Sequence, residues 1–174
     1  MILGLQRHTI RLVPHQNGWK EAFEAEKQRL ELALTDSVIS IEHIGSTAIP
    51  GLLAKPVIDI GIGLSNYEAG FACVAALEEL GYLYKGENGI AERHYFRTNS
   101  EIVLHHLHMF PDGHPKLRDH LLFRDYLLAH PEELQAYQAL KLILQQENSG
   151  NRQTYTEGKH DFITRILQLA RQGD

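Results

Sequence analysis

The sequence predicts an α+β protein, a small mixed β-sheet backed by helices, with a further helical layer towards the C-terminal end. Three observations predict it. Short β-branched runs alternate with helical patterns over the first part of the chain; two such runs follow one another with a short turn containing Asn99-Ser100 between them; and three helical segments succeed one another from Pro115 onward. The 174 residues suit one domain of ordinary size, with about 1–112 forming sheet and helices and about 113–174 the helical layer. No internal repeat, low-complexity tract or break in composition marks a second unit.

Taken in order, Thr9 to Val13 alternate apolar and polar positions ahead of Pro14 and predict a short strand. From about Gln16 to Leu34, Trp19, Phe23, Leu30 and Leu34 recur at helical spacing, with Glu21, Glu24, Glu26, Lys27 and Arg29 on other positions, so this helix packs one face on a sheet. Ile39 and Ile41 lead to His43 and the turn Gly45-Ser46; Pro50-Gly51 and Lys55-Pro56 punctuate a loop, and Val57 to Leu64 form the next strand. Asn66 caps a helix over Tyr67 to Leu80, with Phe71, Val74, Leu77 and Leu80 as its buried stripe and Gly81 as its stop. Tyr82 to Tyr84 is a brief strand, Gly86 to Gly89 a turn, and His94 to Arg97 with Ile102 to His108 an antiparallel pair, which makes the sheet mixed. Helices then cover roughly Pro115 to Ala129, Pro131 to Gln146 and Asn151 to Arg171, the last two separated by Asn148-Ser149-Gly150.

Composition narrows the function. With 43% apolar and 22% charged residues the chain is of the globular class, and a net charge of −5 gives no general attraction for nucleic acid or anionic membranes, although a local basic patch is compatible with it. The one cysteine, Cys73, rules out an internal disulfide and a Cys-rich zinc site; it lies in an apolar helical pattern and is expected to be a small buried hydrophobe, in keeping with a reducing cytoplasm. No apolar run approaches the roughly 20 residues that span a bilayer, and Met1 to Arg11 lacks the layout of a secretory signal. A cytoplasmic protein with small or local partners is expected.

The chemistry concentrates between Glu42 and Leu64. Gly45-Ser46 directly follows a strand, where free amides and a hydroxyl can face a phosphate, although a Gly-Ser pair by itself is as readily a plain turn. Asp59 lies inside Val57-Ile58-Asp59-Ile60, where a buried carboxylate needs a cation, a metal or several donors; the alternative is an open sheet face on which it caps a loop. Strand alternation puts Asp59 on the face of Val57 and Gly61, opposite Ile58, Ile60 and Ile62. His106 and His108 share a strand face while His105 points the other way, and two imidazoles with a carboxylate make a transition-metal set; hydrogen-bonded sheet histidines are the alternative. His43 is placed for a phosphate or for loop backbone, and Lys55 for a phosphate or an ion pair. Arg124 follows the apolar Leu121-Leu122-Phe123 and is placed to extend back towards the sheet. Tyr137 with Lys141, and Tyr155 with Lys159, stand four apart on helices, so the pairs either line a pocket for an anion or cover the core while the lysine stems snorkel.

The run Glu42-His43-Ile44-Gly45-Ser46-Thr47-Ala48-Ile49-Pro50-Gly51, followed by Ala54-Lys55-Pro56-Val57-Ile58-Asp59-Ile60, resembles the signature of the GrpB family, which also occurs as a domain fused to dephospho-coenzyme A kinase. Similarity continues through Arg93-His94-Tyr95-Phe96, His106-Leu107-His108, Leu122 to Leu127, Tyr137 with Lys141 and Tyr155 with Lys159, nearly the whole length. The resemblance implies the nucleotidyltransferase fold, in which Gly45 and Ser46 correspond to the phosphate turn and Asp59 to the first of two metal-binding carboxylates. Gly61 stands where the second would be, so two-metal phosphoryl transfer in its usual form is not expected. The resulting expectation is a protein that binds a nucleotide or another phosphorylated small molecule. Gly45, Ser46 and Lys55 would hold phosphate, with His43, Arg93, Arg124, Lys141, Tyr155 and Lys159 around it. Asp59, His106 and His108 would hold a divalent ion (Mg2+ or Mn2+, alternatively Zn2+) and carry any catalysis. Two alternatives stand beside it: a non-catalytic module that assists folding or assembly of a partner enzyme, and a metal-dependent hydrolase at the Asp59, His106 and His108 site.

Overall fold

In the computed structural model, which describes residues 1–34, 37–147 and 151–173, the elements run β1 (Leu5–Gln6), α1 (Gly18–Ala33), β2 (Val38–Ile44), a 3-10 turn (Ser46–Ala48), β3 (Ile58–Leu64), α2 (Ala69–Ala72), α3 (Val74–Glu79), β4 (Tyr82–Tyr84), β5 (His94–Thr98), β6 (Ile102–Val103), β7 (His105–Pro111), α4 (Pro115–Ala129), α5 (Pro131–Glu147), α6 (Arg152–Glu157) and α7 (His160–Gln172). Five strands form one mixed sheet in the order β2-β3-β7-β5-β4. β3 and β7 are parallel and the other pairs antiparallel. β1 and β6 make a separate antiparallel ribbon. The mixed α+β architecture is as the sequence predicts.

Burial explains why β3 is central. It is apolar along nearly its whole length and covered on both faces, as an inner parallel strand must be. Ile58, Ile60 and Ile62 pack with Leu107 and Met109 of β7 and with Phe23 and Leu30 of α1 in the main core. α4 lies against β2, β3 and β7, and a second core among the C-terminal helices joins Leu127, Leu134, Tyr137 and Ile166 to Ile49 and Leu52 of the loop after the 3-10 turn. The polar loop is thereby clamped between sheet and helical layer. Cys73 is buried, as expected. Among the described residues, no helix is long and apolar enough to cross a membrane.

Four elements depart from expectation, each for a local reason. Thr9 to Val13 is not a strand: the ribbon strand lies earlier, at Leu5–Gln6, and only Val13 pairs, its N–H and C=O both bonded to Ala54. The helix expected over Tyr67 to Leu80 is two short pieces meeting at Cys73. Asn66 accepts from the Ala69 amide at 2.9 Å, but the N-cap position of the first piece is Glu68, and Phe71 is 53% exposed, outside the stripe assigned to it. The run Ile102 to His108 divides at Leu104, because the Thr98 hydroxyl takes the amides of Leu104 (3.3 Å) and His105 (3.0 Å) in place of a ladder partner. The last helix likewise divides after Glu157, where a side chain on Gly158 would run into Leu144. Asn151 caps α6 through the amides of Gln153 and Thr154; the separating turn assigned to Asn148-Ser149-Gly150 lies outside the described residues.

Candidate functional site

Parallel pairing of β3 with β7 sets Asp59 beside His106, and Gly61 beside His108, on the sheet face that α4 covers. Asp59 Oδ1 lies 3.0 Å from Nδ1 of His106 and 3.4 Å from Nε2 of His108. His105 points to the opposite face, as alternation requires, where its Nδ1 lies 3.2 Å from the Tyr82 hydroxyl, which donates to the buried Glu26. Burial by itself would raise the Asp59 carboxyl, but the hydrogen bonds from His106 and His108 outweigh it and hold the group well below the usual carboxylate range. Asp59 is therefore anionic near neutral pH. Its side chain keeps 31% exposure at the floor of an open cavity, although protein surrounds it on the other sides.

The turn preceding this strand is built around the same carboxylate. Gly45 adopts φ 70°, and a Cβ there would lie 2.6 Å from Asp59 Oδ2. The 3-10 turn closes through Ala48 N–H to Gly45 O (3.2 Å) and Ile49 N–H to Ser46 O (3.3 Å). His43 secures it, Nε2 lying 2.9 Å from Thr47 Oγ1 while the ring stacks on Phe23. Burial takes the His43 pKa down to about 4, with Asp59 opposing and Arg124 assisting. Of its two expected roles, His43 holds the loop, with the Thr47 side chain as partner, and it does not line the cavity.

That cavity, about 200 Å³, lies between the turn, Asp59 and the C-terminal helices, and is lined by Ser46, Thr47, Lys55, Asp59, His106, Lys141, Tyr155 and Lys159 among others. The ammonium groups of Lys55 and Lys159 sit 4.5 and 4.6 Å from the centre of the Tyr155 ring. Lys141 is 2% exposed and donates to Ser46 Oγ (3.3 Å) and to the Leu53 carbonyl. Burial, followed by the charges of Lys159 and Lys55, lowers the Lys141 pKa to about 7. Among the described residues lining this cavity, Asp59 is the only acid. The space suits an anion.

Two expected ligand residues stand elsewhere. Arg124 donates to Glu42 (3.2 Å), to Asp125 (2.7 Å) and to the His43 carbonyl (2.9 Å); it ties α4 to β2 and does not line the cavity. Arg93 is buried beside the histidines, donating to the carbonyls of Glu87 (3.1 Å) and Asn88 (2.7 Å) and to His108 Nδ1 (3.4 Å) with its guanidinium over the Tyr95 ring. Sequence reasoning missed His120 of α4, whose ring centre is 5.5 Å from that of His108 and whose pKa burial lowers to about 4. A signal existed: Leu117, His120 and Arg124 recur at helical spacing on the face turned to the sheet.

The fit of this site to a metal is mixed. One donor atom each from Asp59, His106 and His108 lies within 4.8 Å of the others, a workable spacing for one ion. A ligating imidazole, however, gives its second N–H to an acceptor, and the second nitrogen of His108 faces a guanidinium, which can only donate. Position 61 offers no second carboxylate, and a Cβ there would press on the side chains of Leu117 (Cδ1 at 2.9 Å) and Ile44 (Cγ2 at 3.2 Å), which would have to shift to admit one.

A sequence profile of the GrpB protein family matches residues 9–169. The chain belongs to the GrpB family. Among its GrpB relatives, UPF0157 protein YqkA of Bacillus subtilis is 40% identical over 166 residues, 95% of this chain and 48% of YqkA. Glutamate-rich protein GrpB of Alkalihalophilus pseudofirmus is 32% identical over 95% of this chain and 98% of that protein. The crystal structure of conserved protein GrpB from Enterococcus faecalis superposes with a TM-score of 0.88 at 34% identity, covering 94% of this chain and 98% of that one. A dephospho-CoA kinase of Mycolicibacterium paratuberculosis is 28% identical over 91% of this chain and 45% of the kinase. The chain thus spans about half the length of YqkA and of the kinase.

Proposed function

We propose that the chain binds a nucleotide or another phosphorylated small molecule in the cavity beside the 3-10 turn. The observation that carries this reading is the meeting of three lysines, Lys55, Lys141 and Lys159, with Ser46 around one small space. Ammonium groups in a partly dry pocket interact with phosphate more strongly than on an open surface, and the Tyr155 ring holds two of them in place. The resemblance of the Gly45-Ser46 turn and Asp59 to the nucleotidyltransferase pattern favours a nucleotide. With Gly61 in place of a second carboxylate, any transfer at this site would proceed without a pair of carboxylate-held metals.

Thermal stability and calorimetry with inorganic phosphate, pyrophosphate and nucleoside mono-, di- and triphosphates, with Mg2+, Mn2+ or Zn2+ added singly and together, test the proposal. Lys55→Ala and Lys159→Ala are each expected to weaken binding about tenfold or more, as loss of a charge-assisted hydrogen bond does. Affinity should also fall as pH rises through about 7, because Lys141 then loses the proton with which it meets the anion. If no phosphate compound shifts the melting temperature at millimolar concentration, the reading fails.

A second reading, an accessory module for a partner enzyme, is favoured by the dephospho-CoA kinases of two mycobacterial species, whose matching regions occupy about half of each kinase. It expects Asp59→Asn to leave partner binding unchanged, and loss of partner binding in that variant would count against it.

A further inference from the structure

We infer that Asp59, His106 and His108 form with Arg93 a hydrogen-bonded proton relay and not a divalent-metal centre, with Nε2 of His106 as the proton acceptor it presents to the cavity. The Arg93 guanidinium offers N–H donors and no acceptor, so the contact from its Nη1 to His108 Nδ1, 3.4 Å, places a lone pair on that nitrogen. The proton of a neutral His108 is then on Nε2, aimed at Asp59 Oδ1. The same carboxylate oxygen takes the Nδ1–H of His106 at 3.0 Å, which leaves the lone pair of that ring on Nε2. His106 lines the phosphate-sized cavity and also the open groove next to it.

A metal would need the reverse arrangement. Lone pairs would have to stand at His106 Nδ1 and His108 Nε2, both of which carry protons here, and moving the His108 proton to Nδ1 would set N–H against N–H at Arg93. Charge opposes a dication as well, since Arg93 on one side and the lysines on the other surround a single carboxylate.

In the relay, the proton of an O–H group of ligand or water passes to His106 Nε2. The resulting imidazolium stays neutralised by Asp59, and the proton later returns to an oxygen or to solvent; no other bond changes in the step. The tautomers follow from the hydrogen bonds alone, and only the identity of the group facing Nε2 rests on the phosphate-binding reading.

Long-range proton–nitrogen NMR of the histidine rings near neutral pH reads the tautomers directly, first with EDTA and then with one equivalent of Zn2+. The expected result is His106 as the Nδ1–H form and His108 as the Nε2–H form, neither moved by zinc. An Nδ1–H form of His108, or displacement of both rings by zinc, would overturn the inference. Arg93→Gln supplies the acceptor that a ligating His108 lacks, so that variant should gain zinc affinity by about tenfold or more over the parent, and equal affinities would also overturn it. Because the wild-type spectrum needs no variant, a misfolded Arg93→Gln protein leaves the test intact. Failure of phosphate binding would not alter the tautomers, and a bound zinc would not abolish the lysine cavity, so the two readings fail separately.

Discussion

Alanine at position 45 is expected to destabilise the protein by about 3 kcal/mol or more, seen as a lower urea midpoint at unchanged m-value. Gly45 holds φ 70° and ψ −173°, a backbone region almost confined to glycine, where another residue costs roughly 1–3 kcal/mol. The added methyl would also stand 2.6 Å from Asp59 Oδ2 and 3.0 Å from Asp59 Cβ, so the carboxylate must shift away from both histidines. Gly51 provides the control, with φ 83° but nothing within 4 Å of its missing Cβ. Gly51→Ala should therefore show backbone strain alone, and equal losses for the two variants would mean that the Asp59 contact contributes nothing.

Acid is expected to remove stability in two separate windows. His43 and His120 titrate near 4 in the folded protein and near 6.5 when unfolded, so between these values the unfolded chain binds more protons. Stability is then greatest above pH 6.5 and falls as pH drops towards 4, on the order of 3 kcal/mol for each ring. Asp59 acts lower: its folded pKa is depressed, so its contribution is present above about 4 and is lost as pH falls further. Urea titrations from neutral to acidic pH should show the first slope, and His43→Gln, which keeps a partner for Thr47 without titrating in this range, should make it measurably shallower. An unchanged slope in that variant would remove His43 from the account.

Much of this site was legible because strand alternation is a local rule. It puts Asp59 on one face of β3 and His106 with His108 on one face of β7, whatever the rest of the chain does. The turn itself was equally readable, since Gly45 directly after β2 supplies the backbone freedom it needs. Less was readable where an element depends on its neighbours. Val13 pairs with Ala54 and nothing continues the strand, whereas Phe71 matches a helical stripe yet faces solvent because its helix is broken at Cys73.

Charged side chains were the hardest to place. Arg124 and Lys141 look alike along the chain as cations on amphipathic helices, but one meets Glu42 and Asp125 while the other is buried against Ser46 at the cavity wall. His120 shares its helix face with Leu117 and Arg124 in the sequence, but its place beside His108 shows only once α4 is laid across the sheet. Most element types, the strand faces and the Gly-Ser turn were determined by the sequence alone, because each rests on neighbours within a few residues. Only the tertiary structure decided which donor faces which acceptor, because desolvation and hydrogen bonding depend on groups brought together from distant segments. The guanidinium of Arg93 on His108 is the plainest case, since no spacing rule joins those two side chains.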